Sequence, residues 1–322
     1  MANSATTVPS PPLPAPATVE ERRLLNRAGF GPSAASLTLV RQLGWERYVD
    51  HQLKPSDKDD PVYLSRLAKT RLLIEYEAGD SHPAKKEQRT FTALGKPGPD
   101  LWKLLQEKIP GQERERPLLE VRAATALRAV YSQWQLRELL ADFWHNHFNV
   151  YPWEDDRIRV TFPCYDRDVI RTHALGNFRT MLEAVAASPP MLIYLDNFTS
   201  KASPANENYA RELFELHTLG AGAYLNHLYN RWRDVPGAKD GKPEGYIDQD
   251  VYEAARAFTG WTLANGDEDN HGVKFPDTGT LHYAAAWHDP YQKRVLGTEF
   301  DANQPPLADG KADAHSIPSV GC

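Results

Sequence analysis

Two short stretches hold side chains whose types and spacing could do chemistry. The first is FWHNHF, with His145 and His147 two positions apart. The second is NENYARELFELHTLG, which carries Arg211, Glu212, Glu215 and His217 within seven residues. Imidazole and carboxylate together suit zinc, iron or manganese, and a free coordination position on such an ion activates water. His145, His147 and Glu215 are therefore the candidate metal ligands. Glu212 and Arg211 are the candidate catalytic groups, with Arg211 orienting an anionic part of a substrate. His217 ranks below the two glutamates because it falls on the apolar side of its segment. Asp196, or the pair His288–Asp289, could complete the set. The reaction class this implies is a metal-assisted hydrolysis.

A second reading uses the same residues without catalysis. At about 100° per residue, positions two apart on a helix lie about 200° apart around its axis. His145 and His147 can meet one ion only if their helix ends near Asn146, for which Tyr151-Pro152 offers a nearby break. Otherwise His147 is a core histidine bonded to backbone and His145 an exposed one. Arg211, Glu212 and Glu215 would then be a polar helix face with local ion pairs. The protein would be a non-catalytic helical binding or assembly protein built around a buried polar network.

The elements that position these groups are helical. Ser203 as cap, Pro204 in the first turn and Gly220 as a stop delimit a central helix, with Tyr209, Leu213 and Leu216 along one face. Ser132 opens the histidine-bearing helix, whose apolar stripe is Leu136, Leu139, Leu140, Phe143 and His147. Upstream, Thr18, Ser33 and Gly44 bound three short helices that form one layer. Pro61–Tyr76 reads as a further helix, residues 78–90 as a polar loop, and the stretches around Trp102 and Leu118 as helices. Residues 155–173 are helical in their first half and interrupted at Pro163, and Asn177 opens the next helix. Asp250 and Glu253 cap a helix through Leu263. A β-hairpin is expected between about Gly272 and Trp287. The fold class is thus mainly α: a multi-helix globular bundle with a small β-hairpin near the C-terminus.

Composition narrows the partners. Of 322 residues, 41% are hydrophobic and 25% charged, as in soluble globular proteins. The net charge of −6 argues against a general nucleic-acid binder, which needs clustered Lys and Arg. No apolar run approaches the roughly 20 residues of a membrane span. Cys164 and Cys322 are the two cysteines, too few for a disulfide framework or a thiolate zinc site. Residues 1–17 form a Pro/Ala-rich arm expected to be disordered. The arm has no export signal, so the compartment stays open, with cytoplasm the default. Gly-rich phosphate loops, G-x-S-x-G and H-E-x-x-H are missing from the sequence.

Taken jointly and in order, RLLNRAGFGPS, FWHNHF, NENYARELFELHTLG, QDVYEAARAFTGWTL and the run from His288 to Gly297 resemble the bacterial "domain of unknown function 1800" family, over residues 20 to 300. The resemblance implies a large, mainly helical protein of uncharacterised activity. It also implies a sulfatase-like partner protein, encoded beside many members, and export of many relatives. Members usually continue into a further helical half, so this chain reads as a truncated member. Residues 18–300 would be the family's N-terminal portion and 301–322 an irregular, non-native tail that should be poorly ordered.

Overall fold

Short-range capping sets the first elements. The Thr18 hydroxyl accepts from the Glu21 backbone N–H at 3.1 Å, and the Glu21 carboxylate accepts from the Thr18 N–H at 2.8 Å. This reciprocal box starts α1, Val19–Arg27. Ser33 caps α2, Ala34–Leu43, and Gly44, at φ +77°, turns the chain directly into α3, Trp45–Gln52. The computed structural model describes residues 15–302 apart from 57 and 59. The expected disorder of the arm and of the tail falls almost wholly outside those residues.

The chain divides into two compact units, Met1–Ala68 with Thr125–Leu140, and Lys69–Ala124 with Ala141–Cys322. In the first, α1, α2 and α3 pack Leu25, Leu37, Val40 and Tyr48 into one small core, as their spacing predicts. The Gln52 side chain ties this layer to the returning chain by donating to the Gln133 carbonyl at 2.8 Å and accepting from the Leu136 N–H at 3.2 Å. Asp60 accepts from the Ser132 hydroxyl at 2.6 Å. The boundary between units falls within α6, Gly111–Tyr131, and α7, Gln135–His147.

The second unit is larger. Its main core gathers Phe148, Ile158, Val169, Ile170, Met181, Val185, Met191, Leu192, Tyr209 and Leu263. Phe148 directly follows α7, Val169 and Ile170 follow α8 (Asp156–Cys164), and the rest come from α8, α9 (Phe178–Ala187), α10 (Pro189–Tyr194), α11 (Glu207–Glu212) and a short strand, with α12 (Asp248–Ala257) against α11. Asn177 caps α9 by accepting from the Arg179 and Thr180 N–H groups. Twelve α-helices and three two-stranded hairpins make up the regular structure among the described residues, so the mainly helical reading holds. No helix among them is long and apolar enough to cross a membrane.

Three segments depart from expectation. The helix from Pro61 stops at Lys69, and Leu72–Tyr76 is instead a strand, β1, paired antiparallel with β2, Lys85–Arg89, inside the stretch expected to be loop. Alternation decides it: Ile74 and Tyr76 are buried, and Tyr76 donates to Glu113 on α6 at 3.0 Å while Arg89 grips the same carboxylate with two bonds of 2.8 Å. The helix from Asp248 likewise ends at Ala257, not Leu263. Gly260, at φ +84°, breaks it, and Trp261–Asn265 becomes β3. β3 pairs with β4, Asp277–Tyr283, so the hairpin spans the region foreseen but with a different first strand. On β4, Gly279 has φ +68° and lies where any Cβ would run into the Trp102 ring of α5, Gly98–Gln106. Finally, Asp250 is not a cap but the third residue of α12, where its carboxylate accepts from the Ile247 N–H at 3.1 Å.

Candidate functional site

The histidine-bearing helix does not end at Asn146. α7 runs through His147, and the Phe148 N–H still bonds the Trp144 carbonyl at 2.8 Å. The two imidazoles therefore point apart. His145 Nε2 lies 3.0 Å from Asp166 Oδ1. Asp166 is buried and accepts from Arg171 Nε through both oxygens, at 3.1 and 3.0 Å. Both partners belong to a π-helical stretch, Tyr165–Arg171, that continues α8 just past Pro163. The wider turn of a π-helix brings residues five apart onto one face, which is how Arg171 reaches Asp166.

His147 takes a different partner. Its Nε2 lies 3.1 Å from the backbone carbonyl of His217. A carbonyl only accepts, so Nε2 carries the hydrogen. The His217 ring is buried, its centroid 6.5 Å from that of His147, and its Nδ1 has no hydrogen-bond partner. Burial, with His147 alongside, brings the His217 pKa down to about 4, so it is neutral at pH 7. Phe148 and Tyr209 line the same space. The metal site expected from His145, His147 and Glu215 is not assembled: among the described residues no three His, Cys, Asp or Glu side chains are placed to hold one ion. An unbroken helix keeping the imidazoles on opposite sides is the reason.

The central segment is not one regular helix either. Asn206, not Ser203, is its cap, accepting from the Asn208 N–H at 3.0 Å. After Glu212 the chain widens into a second π-helical stretch, Leu213–Thr218, closed at Gly220. The buried face is Tyr209, Ala210, Phe214 and His217, the last three at the spacing of an ordinary helical face, whereas Leu216, expected on it, is 60% exposed. On α7, Phe143 is likewise 54% exposed, and Ala141 and Phe148 face inward in its place.

Arg211, Glu212 and Glu215 lie on the half-buried side of this segment. The Arg211 guanidinium reaches Glu207 at 3.5 Å and Asp248 at 3.7 Å, and sits 5.7 Å from the centre of the Tyr224 ring. Tyr224 donates to Asp248 at 2.6 Å. Glu212 and Glu215 have neither a hydrogen-bonded nor an ion-paired partner among the described residues. Burial first, and then the neighbouring Glu215, raise the Glu212 pKa. Beside them Tyr246 is wholly buried and its hydroxyl is unpartnered.

The remaining candidates have partners close to them in the fold. His288 Nδ1 lies 2.9 Å from the Thr259 carbonyl. Asp289 accepts from Arg256 at 2.8 and 2.9 Å, and Lys293 donates to the Asp289 and Tyr291 carbonyls. The run from His288 to Gly297 thus fastens the last hairpin, β5 (Lys293–Val295) with β6 (Thr298–Phe300), onto α12. Asp196, at φ +58°, turns the chain and accepts through its carbonyl from the Asn206 side chain at 3.0 Å. Sequence reasoning missed Asp166, Tyr224 and Tyr246. The five-residue Asp166–Arg171 interval was the one available signal for the first, and no motif marks the two tyrosines.

A mainly helical protein with a partnered histidine centre and an underserved acidic face is the class these features define. The chain belongs to the family described as "Protein of unknown function (DUF1800)", whose sequence profile matches residues 23–318. Neither a curated protein nor a solved structure matches the chain.

Proposed function

We propose that this protein is a non-catalytic helical binding protein in which the histidine centre is a buried structural network. The observation that carries the reading is the separation of the two imidazoles. His145 is held by Asp166, which Arg171 holds in turn, and His147 by the His217 carbonyl. The Nε2 atom of each of these histidines is already engaged by protein. Buried polar groups are costly unless paired, and here pairing supplies a reason for the histidines that requires no reaction. Glu212 and Arg211 then serve binding rather than catalysis. The sulfatase-like protein implied by the resemblance is the kind of partner such a scaffold would hold.

Elemental analysis of the purified full chain tests this reading against the metal-assisted hydrolase. The expected result is no stoichiometric zinc, iron or manganese, with His147→Ala lowering the melting temperature. Stoichiometric metal in the parent that is lost in both His147→Ala and Glu215→Gln would overturn it.

A further inference from the structure

The acidic face contains more acceptors than donors. Glu207, Glu212, Glu215 and Asp248 are gathered near Arg211, whose ion pairs go to Glu207 and Asp248. Glu212 and Glu215 stay half-buried, one turn apart, with no cation of their own. An acidic cluster alone would be an ordinary solvated face. The second observation is Tyr246.

Tyr246 is 0% exposed, and its hydroxyl makes no hydrogen bond. Buried hydroxyls nearly always find a partner, and among the described residues those of Tyr246 and of Tyr209 in the main core are exceptions; that of Tyr246 adjoins the acidic face. Its direction follows from the backbone. Tyr246 and Tyr224 face each other across an isolated parallel bridge: the Tyr246 N–H donates to the Ala223 carbonyl at 3.0 Å, and the Leu225 N–H donates to the Tyr246 carbonyl at 2.9 Å. Opposed residues on parallel strands project to the same side. The two rings accordingly stack, 5.2 Å apart and 19° from parallel, with Phe214 against Tyr246. Tyr224 uses its hydroxyl on Asp248, at the edge of the acidic face. Tyr246, stacked on Tyr224, projects to the same side, and burial first, then the neighbouring Glu215, raise the pKa of its phenol.

We infer that Glu212, Glu215 and the Tyr246 hydroxyl form a binding site for a primary ammonium group, as on a lysyl side chain or an alkylamine. An ammonium has three donors and no acceptor, which matches two carboxylates and a phenol oxygen that all lack donors. The stacked tyrosines add aromatic surface, which attracts cations. A divalent metal fits less well, since no three carboxylate, imidazole or thiolate groups converge here and a neutral phenol is a poor ligand for hard cations. The inference rests on the binding-protein reading and gives it a ligand chemistry.

Calorimetric titration of the full chain with Nα-acetyl-lysine N-methylamide and with n-butylammonium chloride tests it, with calcium chloride as the competing cation. Saturable binding of either amine is expected, weakened about tenfold or more by Glu215→Gln and about three- to tenfold by Tyr246→Phe, in line with the loss of one charge-assisted and one neutral hydrogen bond. Tighter binding of the lysyl compound would identify a protein partner as the source, and equal or tighter binding of butylammonium a small amine. Tyr246→Phe keeps the ring and its packing, so an unchanged melting temperature separates lost binding from lost folding. No saturable binding, full binding retained in Glu215→Gln, or a site taken by calcium and not by amines would overturn the inference. Stoichiometric metal at the histidines with amine binding intact would instead overturn only the binding-protein reading.

Discussion

The histidine centre and the acidic face belong to opposite sides of the same central segment, yet they satisfy their polar atoms differently. On the inner side, His145 is served by Asp166, Asp166 by Arg171, and His147 by a carbonyl 70 residues away. On the outer side, two carboxylates and a phenol have no partner. Burial separates the carboxylates only: Asp166 is buried and paired, whereas Glu212 and Glu215 are half-buried and unpaired. The His217 Nδ1 and Tyr209 hydroxyl on the inner side and the Tyr246 hydroxyl on the outer side are all buried with no partner among the described residues. A polar group in the core that lacks a partner destabilises the fold by a large fraction of its total stability. Groups at a half-open face can remain unpaired at small cost, and such groups are free to meet a ligand. A dense cluster of His, Glu and Arg in a sequence therefore does not say which of its carboxylates the fold pairs and which it leaves unpaired.

Removing the anion that holds the inner network should have the largest effect. Asp166→Ala leaves Arg171 and His145 without their shared carboxylate, and a loss of about 3–5 kcal/mol is expected in chemical denaturation. A loss below about 1 kcal/mol would mean that this network is not what holds the centre together.

Acid should probe the same region from His217. Its folded-state pKa of about 4 lies below the unfolded value near 6.5, so the unfolded chain binds the extra proton between those values. Stability contributed by neutral His217 is complete above pH 6.5 and is lost as the pH falls toward 4, by up to about 3 kcal/mol. Comparing the wild type with His217→Phe isolates this term, because other groups titrating in the window are common to both. Parallel pH profiles for the two proteins would remove His217 from the account.

The outer face should respond in the opposite sense. Tyr246→Phe deletes a hydroxyl with no partner, so stability should stay level or rise by about 1 kcal/mol. A loss of more than about 1 kcal/mol would show that the hydroxyl is satisfied in solution and is not waiting for a ligand. The smallest effect is expected from Glu212→Gln. The raised pKa of Glu212 means that its ionised form is disfavoured in the fold, a cost present at neutral pH and absent once the group is protonated. Relief of its repulsion with Glu215 should stabilise the protein by a few tenths of a kcal/mol at pH 7, less at high salt. Destabilisation instead would place an unrecognised cation beside it.

Much of this was legible in the residues themselves. Thr18 with Glu21, Ser33, Gly44, Asn177 and Gly220 act through their own backbone neighbours, and each ends or begins an element where its chemistry says it should. The mainly helical class and the positions of most helices follow from those signals and from apolar spacing. Where partners lie far along the chain, the residues alone did not decide. Leu72–Tyr76 became a strand because Glu113 and the β2 strand receive it, and Trp261–Asn265 because β4 does. The two π-helical stretches were the deepest obstacle. Reading at 3.6 residues per turn puts both Leu216 and His217 on the apolar side; His217 is buried there and Leu216 is 60% exposed. What that reading does not foresee is a wider turn, such as the one that brings Arg171 to Asp166. Local backbone bonding favours the regular helix, so the wider turn, with Tyr209, Phe214 and His217 buried along it, is set by tertiary packing and not by the segment's own residues.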